Sequence, residues 1–289
     1  MANTTLTTLN DLISPIVQEA LFVASETAIM KGLVKTYTVP ANSGKVLQVP
    51  KYPVQTAEDL TEGTDMDGTA ADDAISTNVS NITLGEIGIM TTVSDMAVNY
   101  SRSNVIADLG KLFGEAIAKK MDQKTTALFS GFDTFAFGSA TDTQSELTVE
   151  ALFKAAATLR ASAVPGPYFG VFNPKQIFSL KRNLTNTFVN PNAGILQNEA
   201  MREGYVGRIA GIDIFETSNV VQDSATSATG AVFSRDALGM AIAQDIKIAT
   251  ERDESKRATE VVATAVMGVS ELHDSYGVKL VSDNTVGNE

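Results

Sequence analysis

The 289-residue chain has no cysteine, no tryptophan and one histidine. Without cysteine there is no disulfide, no thiolate nucleophile and no thiolate metal ligand, which fits a reducing cytoplasm. The single imidazole, His273, has neither a second histidine nor a cysteine to complete a metal site or a relay, so it reads as a surface histidine in a turn beside Asp274. No apolar run approaches the roughly 18 residues that a membrane-spanning helix needs. The N-terminus, MANTTLTTLNDLISPIVQEALFVASE, lacks both a basic start and a long apolar stretch and does not read as a signal peptide.

Basic charge is scarce as well. Lys and Arg number 22 against 34 Asp and Glu, a net charge of −12. A protein that grips nucleic acid needs clustered cations to displace phosphate counterions, and no such stripe is present. Between Lys51 and Arg102 there is no basic residue, while Glu58, Asp59, Glu62, Asp65, Asp67, Asp72, Asp73, Glu86 and Asp95 fall inside. The cations collect elsewhere, notably at Lys111, Lys119, Lys120 and Lys124. Segregation of sign points to complementary surfaces, within the chain or between copies.

Catalytic signatures are missing too. There is no phosphate-binding glycine loop, no dinucleotide fingerprint and no nucleophile elbow. The run DMDG at 65–68 does not meet calcium-loop spacing. No catalytic residue, metal ligand or cofactor is expected.

What is present is a mixed α+β pattern. Residues 11–31 have helical spacing, and 34–52 read as two short strands around an Ala-Asn-Ser-Gly turn. Residues 53–80 form a long acidic loop, and 81–95 return as a strand. The whole excursion, 36–95, has too few large apolar residues for a core of its own and needs something to lie against.

The spacing predicts a long helix over 103–130, about 42 Å at 1.5 Å per residue. Its expected apolar stripe is Val105, Leu109, Leu112, Phe113, Ala116, Ile117, Met121, Thr125 and Leu128, with Asp122 among the polar positions. A second helix, 147–162, carries Val149, Leu152, Phe153, Ala156 and Leu159, with Thr148 as N-cap. Tyr168–Phe172 is a buried strand, followed by a helix with Pro174 in first position. Residues 183–204 read as an Asn-rich loop with a short helix near 195–202. Strands are expected at 205–215, 230–234, 239–250, 258–269 and 276–282.

One stretch stands apart. In ERDESKR, 251–257, six of seven residues are charged, three of each sign, immediately before the strand-like ATEVVATAV. Two readings stay open: a solvated hairpin tip whose charges block wrong pairing, or ion pairs between copies through Glu251, Arg252, Asp253, Glu254, Lys256 and Arg257.

The order of segments resembles the major capsid protein of tailed bacteriophages, the Hong Kong 97-like fold. The stretch LFGEAIAKKMDQKTTALFSGF, 112–132, is similar to the end of that family's spine helix. EALFKAAATLRASAVPGPYFGVFNPKQIFSLKRN, 150–183, resembles an axial-domain helix, strand and N-P-x-Q helix start, and REGYVGRIAGIDIFETSNV, 202–220, its G-x-x-G-x-x-x-G segment. AVFSRDALGMAIAQDIKIATERD, 231–253, and AVMGVSELHDSYGVKLV, 265–281, resemble the return strands and the final Y-G-V strand.

The resemblance implies an N-terminal arm at 1–35, an extended β-hairpin loop at 36–92 and a peripheral domain with spine helix at 93–144. An axial domain at 145–243, peripheral return strands at 244–268 and a final axial strand with the C-terminus at 269–289 complete it. It further implies self-assembly as hexamers and pentamers into an icosahedral virion shell around double-stranded DNA, held without sequence-specific binding and without membrane. Assembly would occur in the host bacterial cytoplasm. With no long region ahead of the arm, a separate scaffolding protein is expected, together with a portal and room for a decoration protein. The extended loop would lie on a neighbour, placing Glu58, Asp59, Glu62, Asp65 and Asp67 against cations such as those of the spine helix. Two rivals are an encapsulin-like nanocompartment shell and, from another class, a monomeric adhesin or binding module.

Overall fold

The computed structural model describes residues 29–40, 43–52, 59, 62–63, 78–96, 105–133, 146–187, 207–220, 222 and 227–283. The expected helical spacing at 11–28 and the short helix near 195–202 lie outside these residues. Four helices are described: α1 (Met30–Leu33), α2 (Val105–Thr126), α3 (Val149–Ala161) and α4 (Pro174–Thr187). The strands are β1 (Lys35–Thr38), β2 (Val46–Lys51), β3 (Asn78–Thr83), β4 (Gly85–Ser94), β5 (Tyr168–Phe172), β6 (Arg208–Ile209), β7 (Ile212–Glu216), β8 (Ser227–Ser234), β9 (Leu238–Asp253), β10 (Ala258–Glu271) and β11 (Gly277–Asp283). Most expected strands are recovered, but the one expected at 205–215 is split by the Ala210-Gly211 turn into β6 and β7, with 205–206 outside the described residues, and 81–95 is divided between β3 and β4; α4 takes the first part of the expected Asn-rich loop.

These strands form a five-stranded sheet in the order β11-β8-β5-β7-β6, a four-stranded sheet β1-β9-β10-β4 and a ribbon β2-β3. The two strands flanking the Ala-Asn-Ser-Gly turn do not pair with each other. β1 runs parallel to β9, and β2 pairs antiparallel with β3. The expected boundaries at 243/244 and 268/269 fall inside β9 and β10, which pair continuously from Leu238↔Glu271 to Asp253↔Ala258 apart from a local register shift. The chain passes between the two large sheets at 235–237 and 272–276 instead.

Local chemistry fixes the helix ends. The Thr148 hydroxyl accepts from the Ala151 amide at 3.3 Å and caps α3. At its other end Val164 N–H returns to Leu159 C=O and Ala163 N–H to Arg160 C=O, with Ala163 at φ 52°, a Schellman closure. The Asn-Pro-Lys-Gln start of α4 is a reciprocal cap. Asn173 Oδ1 accepts from Lys175 N–H at 3.1 Å, and Gln176 Oε1 accepts from Asn173 N–H at 3.0 Å. Fully buried Gln176 then donates through Nε2 to Ala228 C=O at 2.7 Å and to Ser282 Oγ at 2.6 Å, tying α4 to β8 and β11.

Both faces of the five-stranded sheet are covered. Leu152, Leu159, Ile177 and Leu180 pack on one side with Phe172, Val232 and Leu280. On the other, Val171 and Phe233 meet Phe129, Phe132, Phe113 and the four-stranded sheet's Met240 and Met267. The ring centroids of Phe129 and Phe233 are 5.5 Å apart. All eight residues of β8 are buried as a result.

The described spine helix has 22 residues, about 33 Å, and its expected last turn is instead a 3-10 turn at Ala127–Gly131; residues 103–104 lie outside the described residues. Its buried face is also rotated. Leu109, Phe113 and Ile117 are buried as expected, but Leu112 is 59% exposed. The second buried row is instead Gly114, Ala118, Asp122 and Thr126. Of these, Asp122 accepts from the Ile29 and Met30 amides of the arm root and from Asn219, and Thr126 donates to Asn219 C=O. Phe153 is likewise exposed on α3 rather than buried.

Candidate assembly surfaces

The acidic excursion is built on the β2-β3 ribbon, and its root lies on its own chain. Ile82, Leu84 and Val39 pack with Ala241 of β9 and with Leu272, just past the end of β10. The Ser80 hydroxyl donates to the carbonyls of Glu271 and Leu272. Contact is close because Gly268 has no side chain: a Cβ there would sit 2.4 Å from Thr83 O. The opposite ribbon face, where Val46 pairs with Thr83 and Pro50 with Val79, turns outward. Val46 and Val79 are 43% and 50% exposed. The sequence expectation that the excursion lies against something is met at its root. Asp59 and Glu62 are exposed, and Glu58, Asp65 and Asp67 lie outside the described residues.

On α2, Lys111, Lys119 and Lys120 surround exposed Leu112 and Glu115 on the solvent side. Lys124 is half-buried, with its Nζ reaching toward Gly85.

ERDESKR covers the end of β9 and the turn into β10, and most of its charge is used locally. Arg252 makes a bidentate pair with Asp95, at 2.6 and 2.8 Å, and reaches Glu254 at 3.4 Å. Asp253 Oδ1 accepts from Ser255 N–H, Ser255 Oγ and Lys256 N–H. These bonds, the Ser255 hydroxyl first, hold the Asp253 carboxyl down at about 2. Lys256 bridges Asp253 and Glu260, each at 3.1 Å, and is pushed up by both. Arg257 adopts φ 48° and closes the turn, its C=O accepting from Asp95 N–H. Exposed Glu251 lies one residue before this network. Asp95, the partner that joins β4 to the turn, carries no local sequence signal because it stands 157 residues away.

His273 stacks on Tyr276 at 4.6 Å between centroids, and burial lowers its pKa. Among the described residues no cluster of three or more His, Asp or Glu is placed to hold a metal, and no helix is long and apolar enough to cross a membrane. A shallow groove beside the ribbon root is lined by Gly44, Lys45, Leu84, Gly85, Glu86 and Val266. One sheet covered on both faces, a second open on its outer side and a ribbon with an exposed apolar face are the features that position these residues.

A family profile described as phage capsid protein matches residues 77–280, and the chain belongs to that family. Its fold is the Hong Kong 97-like capsid fold, and the protein is a structural component of a capsid shell. Among solved structures, the capsid of cyanophage P-SCSP1u matches with a TM-score of 0.66 at 19% identity, covering 89% of each chain. The acid-stable capsid of Helicobacter pylori bacteriophage KHP30 gives 0.67 at 12% identity, over 89% of this chain and 91% of that one. A virus-like particle from Pyrococcus furiosus gives 0.61 at 13%, over 93% and 98%. No curated protein matches by sequence.

Proposed function

We propose that copies of this chain close into the icosahedral shell that encloses the double-stranded DNA genome of a tailed phage. Hexamers and pentamers form in the host bacterial cytoplasm with a scaffolding protein and a portal, and the finished shell has room for a decoration protein. In this reading the five-stranded sheet with α3 and α4 is the axial domain. The four-stranded sheet with α2 is the peripheral domain, β2-β3 the root of the extended loop, and the chain up to β1 the arm. The acidic wall holds DNA without gripping it, since the net charge of −12 opposes phosphate binding.

The observation that carries this reading is the ribbon. It is anchored on its own sheet yet presents an exposed apolar face, and it carries the acidic tip Glu58, Asp59, Glu62, Asp65 and Asp67. We place that tip against Lys111, Lys119, Lys120 and Lys124 of a second copy. Each exposed pair contributes only about 0–1 kcal/mol, and repetition around a closed shell multiplies it. The turn at 251–257 meets a neighbour through Glu251 and Arg257, because Arg252, Asp253 and Lys256 are engaged within the chain.

The test is assembly of purified protein with scaffolding protein, followed by sedimentation and electron microscopy. Closed shells are expected, and species of only about 30 kDa would sink the reading. Neutralising the five tip acids together should leave a folded subunit with impaired assembly, and high salt should weaken wild-type shells in the same direction. Equal yields of mutant and wild type at both salt levels would leave the tip merely solvated. Likeness to the Pyrococcus furiosus particle keeps an encapsulin-like compartment as second reading, distinguished by protein cargo in place of nucleic acid.

A further inference from the structure

Three separate parts of the chain meet at one buried carboxylate. Asp122 stands on α2 and is fully buried. Its Oδ1 accepts from Met30 N–H at 3.2 Å, and its Oδ2 accepts from Ile29 N–H at 3.3 Å and from Asn219 Nδ2 at 3.4 Å. Asn219 lies in the 217–220 turn that follows β7 and holds α2 at a second point, its C=O accepting from Thr126 Oγ1 at 2.8 Å. The turn itself is tied to the five-stranded sheet. Asn219 N–H donates to Thr217 Oγ1 at 3.2 Å, and Thr217 N–H donates to Phe172 C=O at 3.0 Å. Hydrogen bonds therefore run from β5 through the turn and α2 to the arm root.

A carboxylate suits this point because N–H donors converge on it. It offers two oxygens with about four lone-pair sites and no hydrogen of its own. An Asn side chain there keeps one acceptor oxygen and turns an NH2 group toward donors. Ile29 and Asn219 share Oδ2, so a shift of the turn moves the oxygen that the arm also uses. The arm donates through main-chain amides, which makes the tie depend on where the arm lies and not on its side chains. Beyond that tie, the root is held by buried Met30, Leu33 and Val34 and by the four residue pairs of β1 on the edge of β9. So small a unit can open without breaking the long β9-β10 pairing.

We propose that Asp122 and Asn219 form a relay that couples the seating of the arm root to the 217–220 turn of the five-stranded sheet. Asn219 is a positioning residue: it donates to no arm residue, but it fixes the carboxylate on which the arm amides depend. Loosening the turn loosens residues 29–38, and, because coupling is reciprocal, freeing the arm loosens the turn. The relay is complete within one subunit and does not rest on the shell reading, so each can fail without the other. In a shell, it carries a change at the arm into the five-stranded sheet.

The test is amide hydrogen exchange on the full chain, with every variant compared with wild type in one assembly state and at one pH. Asn219→Ala should lower protection over residues 29–38 by about fivefold or more, the low end of coupling between sites, while β10 is unchanged. Asp122→Asn should lower it at least as much. The double variant should lose no more than Asp122→Asn alone, because both changes break one path. Unchanged arm protection in Asn219→Ala, losses that multiply in the double variant, or a loss spread equally over β10 would overturn the proposal. If Asp122→Asn does not fold, Thr126→Val takes its place. It frees Asn219 C=O from α2 without removing any bond to the arm, so lowered protection over 29–38 is expected and unchanged protection overturns the relay.

Discussion

The two large sheets of this subunit are finished to different degrees. In the five-stranded sheet β8 is buried along its whole length, with helices on one face and aromatic rings on the other. In the four-stranded sheet, β4 alternates between α2 and solvent, and Met90 on its outer side is 59% exposed. The ribbon covers that outer face only near its root, over Gly239 and Gly268. One solvated face is ordinary for a largely antiparallel sheet, and under the proposed function it is the face open to neighbouring copies. The difference separates a sheet closed within the subunit from one left open on one side.

Substitutions can sharpen or break this contrast. The largest effect is expected in the closed sheet: Phe172→Ala should cost about 3–5 kcal/mol by denaturant unfolding, because the ring is fully buried between α3, α4 and β8. A cost near zero would remove the distinction between the sheets. On the spine helix, Leu109→Ala should cost about 2–5 kcal/mol. Leu112→Ala should stay within about 0.5 kcal/mol in the isolated subunit while reducing assembly yield. Equal costs at the two positions would return Leu112 to the core.

Smaller effects follow from polar and steric ties. Gln176→Ala leaves Ala228 C=O and Asn173 N–H without their partner, and should cost about 1–3 kcal/mol in thermal unfolding. Gly268→Ala should cost a similar 1–3 kcal/mol, roughly, by forcing Thr83 away. Its loss should appear first as faster amide exchange in β3, with the five-stranded sheet unaffected. The smallest concerns the β9-β10 turn. By carboxyl NMR, Asp253 should titrate at about 2, not near its ordinary 3.8. Since the folded value is depressed, the turn is supported above the ordinary value and loses that support as pH falls through about 2. Titration at the ordinary value would show that the Ser255 and Lys256 bonds do not persist in solution.

Much of the secondary structure was legible in the sequence. Alternating β-branched residues marked β9, β10 and β11, and Thr148 and the Asn-Pro-Lys-Gln start marked the two capped helices. These signals are local, since a cap or a two-residue period is complete within a few positions. The spine helix shows the limit. Its period was clear, but the face was misjudged at Leu112 and Asp122, because hydrophobicity alone cannot say which side a distant segment will cover. The candidate charges of the 251–257 turn were found, but their partner Asp95 was not.

By itself, then, the sequence determined the elements, their order, the lack of thiolate and multi-histidine chemistry, and the separation of acidic from basic stretches. Composition and short-range pattern suffice for each of these. Tertiary structure decided which sheet each strand joined, that β1 pairs parallel with β9 instead of with β2, that Asp122 faces the arm, and that the ERDESKR charges are largely spent within the chain. Those outcomes depend on contacts between residues tens to hundreds of positions apart, where packing and backbone hydrogen bonding outweigh any local preference.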